Sequence, residues 1–274
     1  MPELMHGKRG LVMGVANDHS IAWGVARTLA ANGAKLAFTY QGESLGKRVK
    51  PLAASVGADL VMPCDVEDVA SVDAVFAAIA RDWGNLDFLV HAIAFSDRTQ
   101  LTGRYADVTR ENFLRTMLIS CFAFTEAAKR AAALMPNGGA MLTLTYNGGD
   151  RAMPNYTAMG PAKAALEASV RYLAVDFGSQ AIRVNAISAG PIRTLAGAGI
   201  GDARMMFAFQ QRHSPLHRGV TLDELGGAGL YLLSDLSTGV TGEIHFADCG
   251  YNVIAMPHPD ALRADRQRDD DSGS

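Results

Sequence analysis

The stretch YNGGDRAMPNYTAMGPAK, residues 146–163, holds two tyrosines and one lysine. A phenol can donate a proton or a hydrogen bond to an oxygen that is gaining negative charge, and a nearby ammonium strengthens that donation. The combination suits a reduction in which hydride reaches carbon and charge appears on oxygen. Tyr156 and Lys163 are seven residues apart, two helical turns, which predicts one shared helix face. The residue one turn before Lys163 is Met159, which has no proton to give. Tyr146 and Tyr156 are therefore both candidate acids. Pro161 lacks an N–H and predicts an irregular start to the helix. On their own these residues also fit a buried tyrosine beside a surface lysine, so the elements that carry them decide the reading.

Apolar, β-rich runs alternate with helical stretches along the chain. GLVMGVA precedes a helical pattern from Ser20 to Ala31, and AKLAFTY one from Glu43 to Val56. ADLVMPCDV precedes Val69–Trp83, LDFLVHAIAF precedes Arg110–Leu134, and GAMLTLTY precedes Met159–Phe177. IRVNAISAGPI leads to Arg204–Arg212, and Thr221-x-x-Glu224 reads as a capping box opening a helix that ends near Ser234. GEIHFADCGY closes the series. Strands that are apolar throughout are buried on both faces, which predicts a parallel sheet with helices on each side. The expectation is an α/β protein: one Rossmann-type domain over residues 1–257, built on a seven-stranded parallel sheet. The charged tail 258–274 is expected to be disordered.

In that fold, ligands bind outside the carboxyl ends of the strands. The first turn, GVANDHSIAWG, is not a compact G-x-G-x-x-G. Its logic survives if Gly14 makes the turn, Ser20 starts the helix and Gly24 permits close helix–strand packing. Helix N–H groups would then face a pyrophosphate. The second strand ends at Gln41, where an adenosine ribose would lie, and the third at Asp65-Val66, near the adenine. Neutral Gln41 does not strongly repel a 2′-phosphate, which leaves NADPH open; Lys47 and Arg48, which follow it, read as a solvated helix face, so NADH is the expected cofactor.

Bulk properties narrow the classes. A net charge of −3 without a basic run gives no nucleic-acid footprint. No apolar run reaches the ~18 residues that span a bilayer, and the polar start MPELMHGKRG is no signal peptide, so the cytoplasm is expected. Cys64, Cys121 and Cys249 are far apart and odd in number, which suits reduced thiols; no metal site is expected.

Taken in order, Gly14, Ser20 and Gly24, then YNGGDRAMPNY, MGPAKAALEASVRYLA and RVNAISAGPIRTLA resemble the bacterial enoyl-(acyl-carrier-protein) reductases, a divergent branch of the short-chain dehydrogenase/reductase superfamily. The likeness runs to about Ile254. It implies that Tyr156 bonds the substrate's thioester oxygen, that Lys163 holds the nicotinamide ribose, and that Tyr146 lines the pocket beside the substrate. Gly14, Ser20 and Ile21 would meet the pyrophosphate, and Gln41, Asp65 and Val66 the adenosine. His91, Ala92 and Ile93 would border the cofactor, with Ile192 and Thr194 on the carboxamide and phosphates. Ala196, Met206 and Phe207 would bind substrate from a mobile loop over about 193–212. Acyl carrier protein is the implied partner and a homotetramer the implied assembly.

Chemistry supports the same substrate. A carbonyl reductase needs its acid at the oxygen of the carbon that takes hydride; short-chain enzymes of that kind space the pair Y-x-x-x-K. An enoyl thioester takes hydride at the β carbon and develops charge on an oxygen two carbons away, so the acid must stand farther off. Moving tyrosine from four to seven residues before lysine shifts it by one turn, ~5 Å. Tyr146 also stands where such enzymes often carry a serine. Ala92 and Cys249 depart from the family, replacing a common serine and a common glycine. Two other readings stay open at this level: a short-chain enzyme acting on a carbonyl or alcohol, and a non-catalytic nucleotide-binding protein.

Overall fold

The computed structural model describes residues 3–192, 203–260 and 262–263. Seven strands are present among them: β1 Arg9–Met13, β2 Lys35–Tyr40, β3 Leu60–Pro63, β4 Phe88–His91, β5 Gly139–Thr145, β6 Ile182–Ala189 and β7 Ile244–Ala247. All pair in parallel, in the order β3-β2-β1-β4-β5-β6-β7. The expected Rossmann-type architecture is what the chain adopts. The chain winds outward from β1 to β3 and then returns to β4. A crevice therefore opens at the carboxyl ends of β1 and β4, where the winding reverses. Register aligns Met13 with His91 and His91 with Thr143, so Gly14, Ala92 and Leu144 all emerge at one level.

Residues alternate between two cores, which explains the unbroken apolar strands. Leu11 and Met13 of β1 point to one face, Val12 to the other. The first face packs on α3 (Val69–Asp82), α5 (Ala123–Ala132) and α6 (Met159–Gly178), through Val75, Phe124 and Leu166. The second packs on α1 (Ile21–Ala31), α2 (Gly42–Ser55) and α8 (Leu222–Leu233), through Leu29, Val49 and Leu225. Burying one such side chain contributes roughly 1.5–3 kcal/mol, against about 0–1 kcal/mol for an exposed ion pair such as Arg115–Glu67. Packing on both faces therefore holds the sheet.

Three local expectations change. The stretch Arg110–Leu134 is not one regular helix: α4 (Arg110–Met117) passes through a π turn, Leu118–Phe122, into α5. Within that turn the buried Ser120 hydroxyl accepts from Phe95 N–H and donates to Phe95 O, both at 2.9 Å, binding the loop after β4. Gly24 serves helix–helix rather than helix–strand packing, because a β carbon there would stand 2.8 Å from Leu222 O at the start of α8. Tyr156 is not on a helix: α6 starts at Met159. The capping box of α8 forms as expected, Thr221 Oγ1 accepting from Glu224 N–H and Glu224 accepting from Thr221 N–H. The expected tail lies mostly outside the described residues. All three cysteines are free.

Candidate active site

The β1 side of the crevice is built from backbone. Gly14 has φ +101°, and a β carbon there would lie 2.2 Å from Ala92 O, so only glycine lets β1 and β4 meet this closely. Ser20 occupies the N-cap of α1, but its side chain does not cap the helix. Its Oγ accepts instead from Ala16 and Asn17 N–H, at 3.0 and 3.1 Å, and closes the turn on itself. The Trp23 and Gly24 N–H groups bond Ser20 O. Those of Ile21 and Ala22 have no acceptor among the described residues, and both residues line the crevice. Unspent N–H groups at a helix N-terminus without an acid in its first turn suit an anion such as a pyrophosphate.

The β5 side is built from side chains. Lys163 is buried on α6, and its Nζ donates to Leu144 O at 2.8 Å. Burial pushes its pKa down to about 8, opposed by Cys121 and Glu167. Tyr156 sits in the turn before α6, after Asn155 at φ +55°. Its carbonyl accepts from Gly160 N–H at 2.8 Å, and neighbouring Thr157 donates to Gln100 O at 2.6 Å. The turn is thus tied at both ends. The Tyr156 hydroxyl has no hydrogen-bond partner among the described residues, and burial holds it far above the ordinary phenol range. It is a neutral donor with its proton unassigned. Tyr146 packs edge-on against Tyr156, with centroids 5.3 Å apart, and its oxygen accepts from Gln210 Nε2 at 2.5 Å. Gln210 belongs to α7 (Ala203–His213).

One cavity of about 410 Å³ joins Gly14, Ser20, Ile21, Tyr146, Tyr156, Lys163, Ile192, Met206 and Phe207. Other expected residues stand elsewhere. Gln41 is exposed just beyond β2, Asp65 accepts from Glu67 N–H at 3.0 Å, and Val66 packs in the core; none lines this cavity. Ile93 packs against the core while Ala92 and Ala94 form the wall. His91 points behind the sheet, its ring 5.5 Å from that of Phe124. Burial, then Lys163, pushes its pKa down to about 3, so it is neutral. Thr194 and Ala196 lie outside the described residues.

The structure adds residues that sequence reading missed. Phe95, Leu101 and Met159 line the cavity, and Leu101, Tyr156 and Met159 share a small apolar cluster. Met159 thus replaces a proton donor with a hydrophobic wall. Gln210 holds Tyr146, and Glu167, one turn beyond Lys163, accepts from Thr145 Oγ1 at 2.6 Å. Only Glu167 had a visible signal, its spacing of four from Lys163.

Fold and crevice define the class: a dinucleotide-dependent oxidoreductase on one doubly wound sheet. The chain is 70% identical, over 96% of its length and 98% of the relative's, to enoyl-(acyl-carrier-protein) reductase (NADH) 2 of Rhizobium meliloti strain 1021. It is similar to the crystal structure of FabI from Candidatus Liberibacter asiaticus, at 60% identity and TM-score 0.92, covering 94% of this chain and all of that one. The reductase of Anaplasma phagocytophilum, solved in complex with NAD, matches at 55% identity and TM-score 0.91, over 94% of this chain and 98% of that one. The chain belongs to the enoyl-(acyl carrier protein) reductase family, whose model matches residues 14–252.

Proposed function

We propose that this protein reduces the trans-2 double bond of enoyl thioesters carried on acyl carrier protein, with NADH as hydride donor, in fatty-acid elongation. The observation that carries the reading is the Tyr156 hydroxyl, which has no partner among the described residues and lies in the cavity that also holds Lys163. The residues fit a dinucleotide, because the open amides of Ile21 and Ala22 face the same cavity as the buried ammonium.

When bound, the nicotinamide supplies hydride to the substrate's β carbon. Lys163 holds the ribose hydroxyls, its ammonium oriented by Leu144 O. Tyr156 donates to the thioester oxygen as charge builds there, and a proton at the α carbon completes the reduction. Tyr146, fixed by Gln210, forms the wall beside the substrate. Phe95, Leu101, Met159, Met206 and Phe207 exclude water and receive the acyl chain. Residues 193–212 form the substrate-binding segment in this reading, with Thr194 and Ala196 upstream of α7. Gln41, Asp65 and Val66 border the adenosine.

The assembly is a homotetramer in the cytoplasm. Exposed Leu114, Leu118 and Phe122 near the π turn, Tyr172 and Val175 on α6, and Val253 and Met256 after β7 give apolar faces that a second copy would cover. No helix among the described residues is long and apolar enough to cross a membrane. Light scattering at micromolar concentration tests the tetramer.

The activity is tested by offering NADH with a crotonyl thioester and, separately, an acetoacetyl thioester. Oxidation with the first is expected; oxidation with the second alone overturns the reading. Tyr156→Phe should lower kcat about 10²–10⁴-fold with the Kd for NADH unchanged, whereas Lys163→Ala should raise that Kd.

A further inference from the structure

One carboxylate behind the cavity takes no part in the chemistry above. Glu167 is half-buried on α6, and its Oε1 accepts from Thr145 Oγ1 at 2.6 Å. One turn earlier on the same helix, Lys163 Nζ donates to Leu144 O at 2.8 Å. Two side chains on successive turns of α6 therefore grip two consecutive residues at the end of β5. Those residues line the cavity and lead directly into Tyr146. Glu167 and Lys163 form no ion pair with each other, so the carboxylate acts on the ammonium by its charge and through the strand that both hold.

The surroundings make that charge matter. Lys163 faces Cys121 from the π turn, His91 from β4 and Glu167 from its own helix. His91 is neutral. Cys121 would favour the ammonium only as a thiolate, and burial raises its pKa, so at neutral pH it is a thiol. Among the described residues, Glu167 is the remaining acid acting on Lys163. Burial raises its own pKa, which the Thr145 hydrogen bond opposes; Asp150 pushes further up, and Arg171 and Lys163 pull down. Tyr156 also feels this carboxylate. Desolvation disfavours the charge of such a carboxylate, and the Thr145 hydroxyl favours it.

We propose that Glu167 is a positioning residue for Lys163: through Thr145 it locks the end of β5 onto α6, and it supplies the negative charge beside which the ammonium works. The proposal rests on the reading of Lys163 as the cation that holds the ribose.

The test follows Lys163 itself. Full-length protein labelled with ¹³C at the lysine ε carbon is titrated by NMR, and Lys163→Ala identifies the Lys163 signal by its loss. Glu167→Gln keeps an oxygen for Thr145 but removes the charge, so the Lys163 midpoint should fall. At a pH near the wild-type midpoint, the charged fraction relative to the neutral should drop about three- to tenfold, and NADH affinity should fall in parallel on the alkaline side only. Thr145→Val, which unties the carboxylate from β5 and lets it swing away from the ammonium, should shift the midpoint the same way by less, and it stands in if Glu167→Gln fails to fold. A midpoint unmoved in the folded variants overturns the proposal, even if melting temperature falls. An NADH affinity indifferent to Lys163→Ala would instead overturn the ribose reading, and the NMR midpoint would still judge Glu167.

Discussion

α1 and α8 pack directly on each other at Gly24, yet their N-termini are finished in opposite ways. α8 is closed: Thr221 caps Glu224, Glu224 reaches back to Thr221, and its first turn carries two acids, Asp223 and Glu224. Arg27 of α1 pairs with Asp223. α1 has no acid in its first turn, and its cap hydroxyl is turned onto the loop behind it. Its positive end therefore meets no acid of its own first turn and opens into the cavity. The contrast shows how a helix end becomes an anion site: ordinary capping is withheld there, and the fold is secured by a fully capped neighbour.

The largest effect should come from the seam that joins the two. Gly24→Val sets a branched side chain where even a β carbon meets Leu222 O at 2.8 Å. Overpacking of this kind costs about 1–3 kcal/mol. Denaturant unfolding and NADH binding should worsen together, because pushing α8 away also tilts the open end of α1. An unchanged unfolding midpoint would show that the helices do not depend on each other.

Next comes the open end. Ser20→Ala removes the acceptor of two turn amides, at about 1 kcal/mol per lost hydrogen bond. The freed Ala16 and Asn17 amides no longer hold the turn away from the helix end. NADH affinity should fall about fivefold, with a modest loss of thermal stability. Stability lost without any change in NADH affinity would mean that the turn is structural only and that α1 is not the anion site.

Much of this was legible before the structure. Unbroken apolar strands gave a parallel sheet, and Thr221-x-x-Glu224 gave the cap of α8, because both are periodic, local signals. Gly14 was legible as a turn, since a strand end followed by glycine has few uses. Gly24 was misread as helix–strand packing because its partner, Leu222, lies 198 residues away in the chain, and nothing local points there. Tyr156 was placed on a helix because spacing of seven suits two turns; the chain instead holds it in a turn, with Thr157 tied to Gln100 and Asn155 at positive φ. The carbonyl that orients Lys163 belongs to Leu144, whose side-chain identity says nothing about its oxygen. Backbone partners of this kind are absent from any sequence pattern.

The smallest effect should be at the closed end, and it is the sharpest control. Thr221→Ala removes one cap at about 1 kcal/mol, without touching the cavity. Unfolding at neutral pH should show that loss while the Kd for NADH stays at the wild-type value, the reverse of the pattern expected for Ser20. Its partner Glu224 adds a pH signature. Hydrogen bonds from Arg218, then from Thr221 N–H, pull its pKa down to about 2 from an ordinary 4.5. A carboxyl lowered on folding adds stability above its unfolded value and loses it as pH falls through the folded one. The difference in stability between wild type and Glu224→Gln should therefore be full at neutral pH, shrink below about pH 4.5 and vanish near pH 2. The pair is largely exposed, so the difference stays within the small range of surface ion pairs. If Thr221→Ala or Glu224→Gln weakened NADH binding as Ser20→Ala does, the two ends would not be separable. The open N-terminus of α1 would then owe its ligand to the pair of helices rather than to its own missing cap.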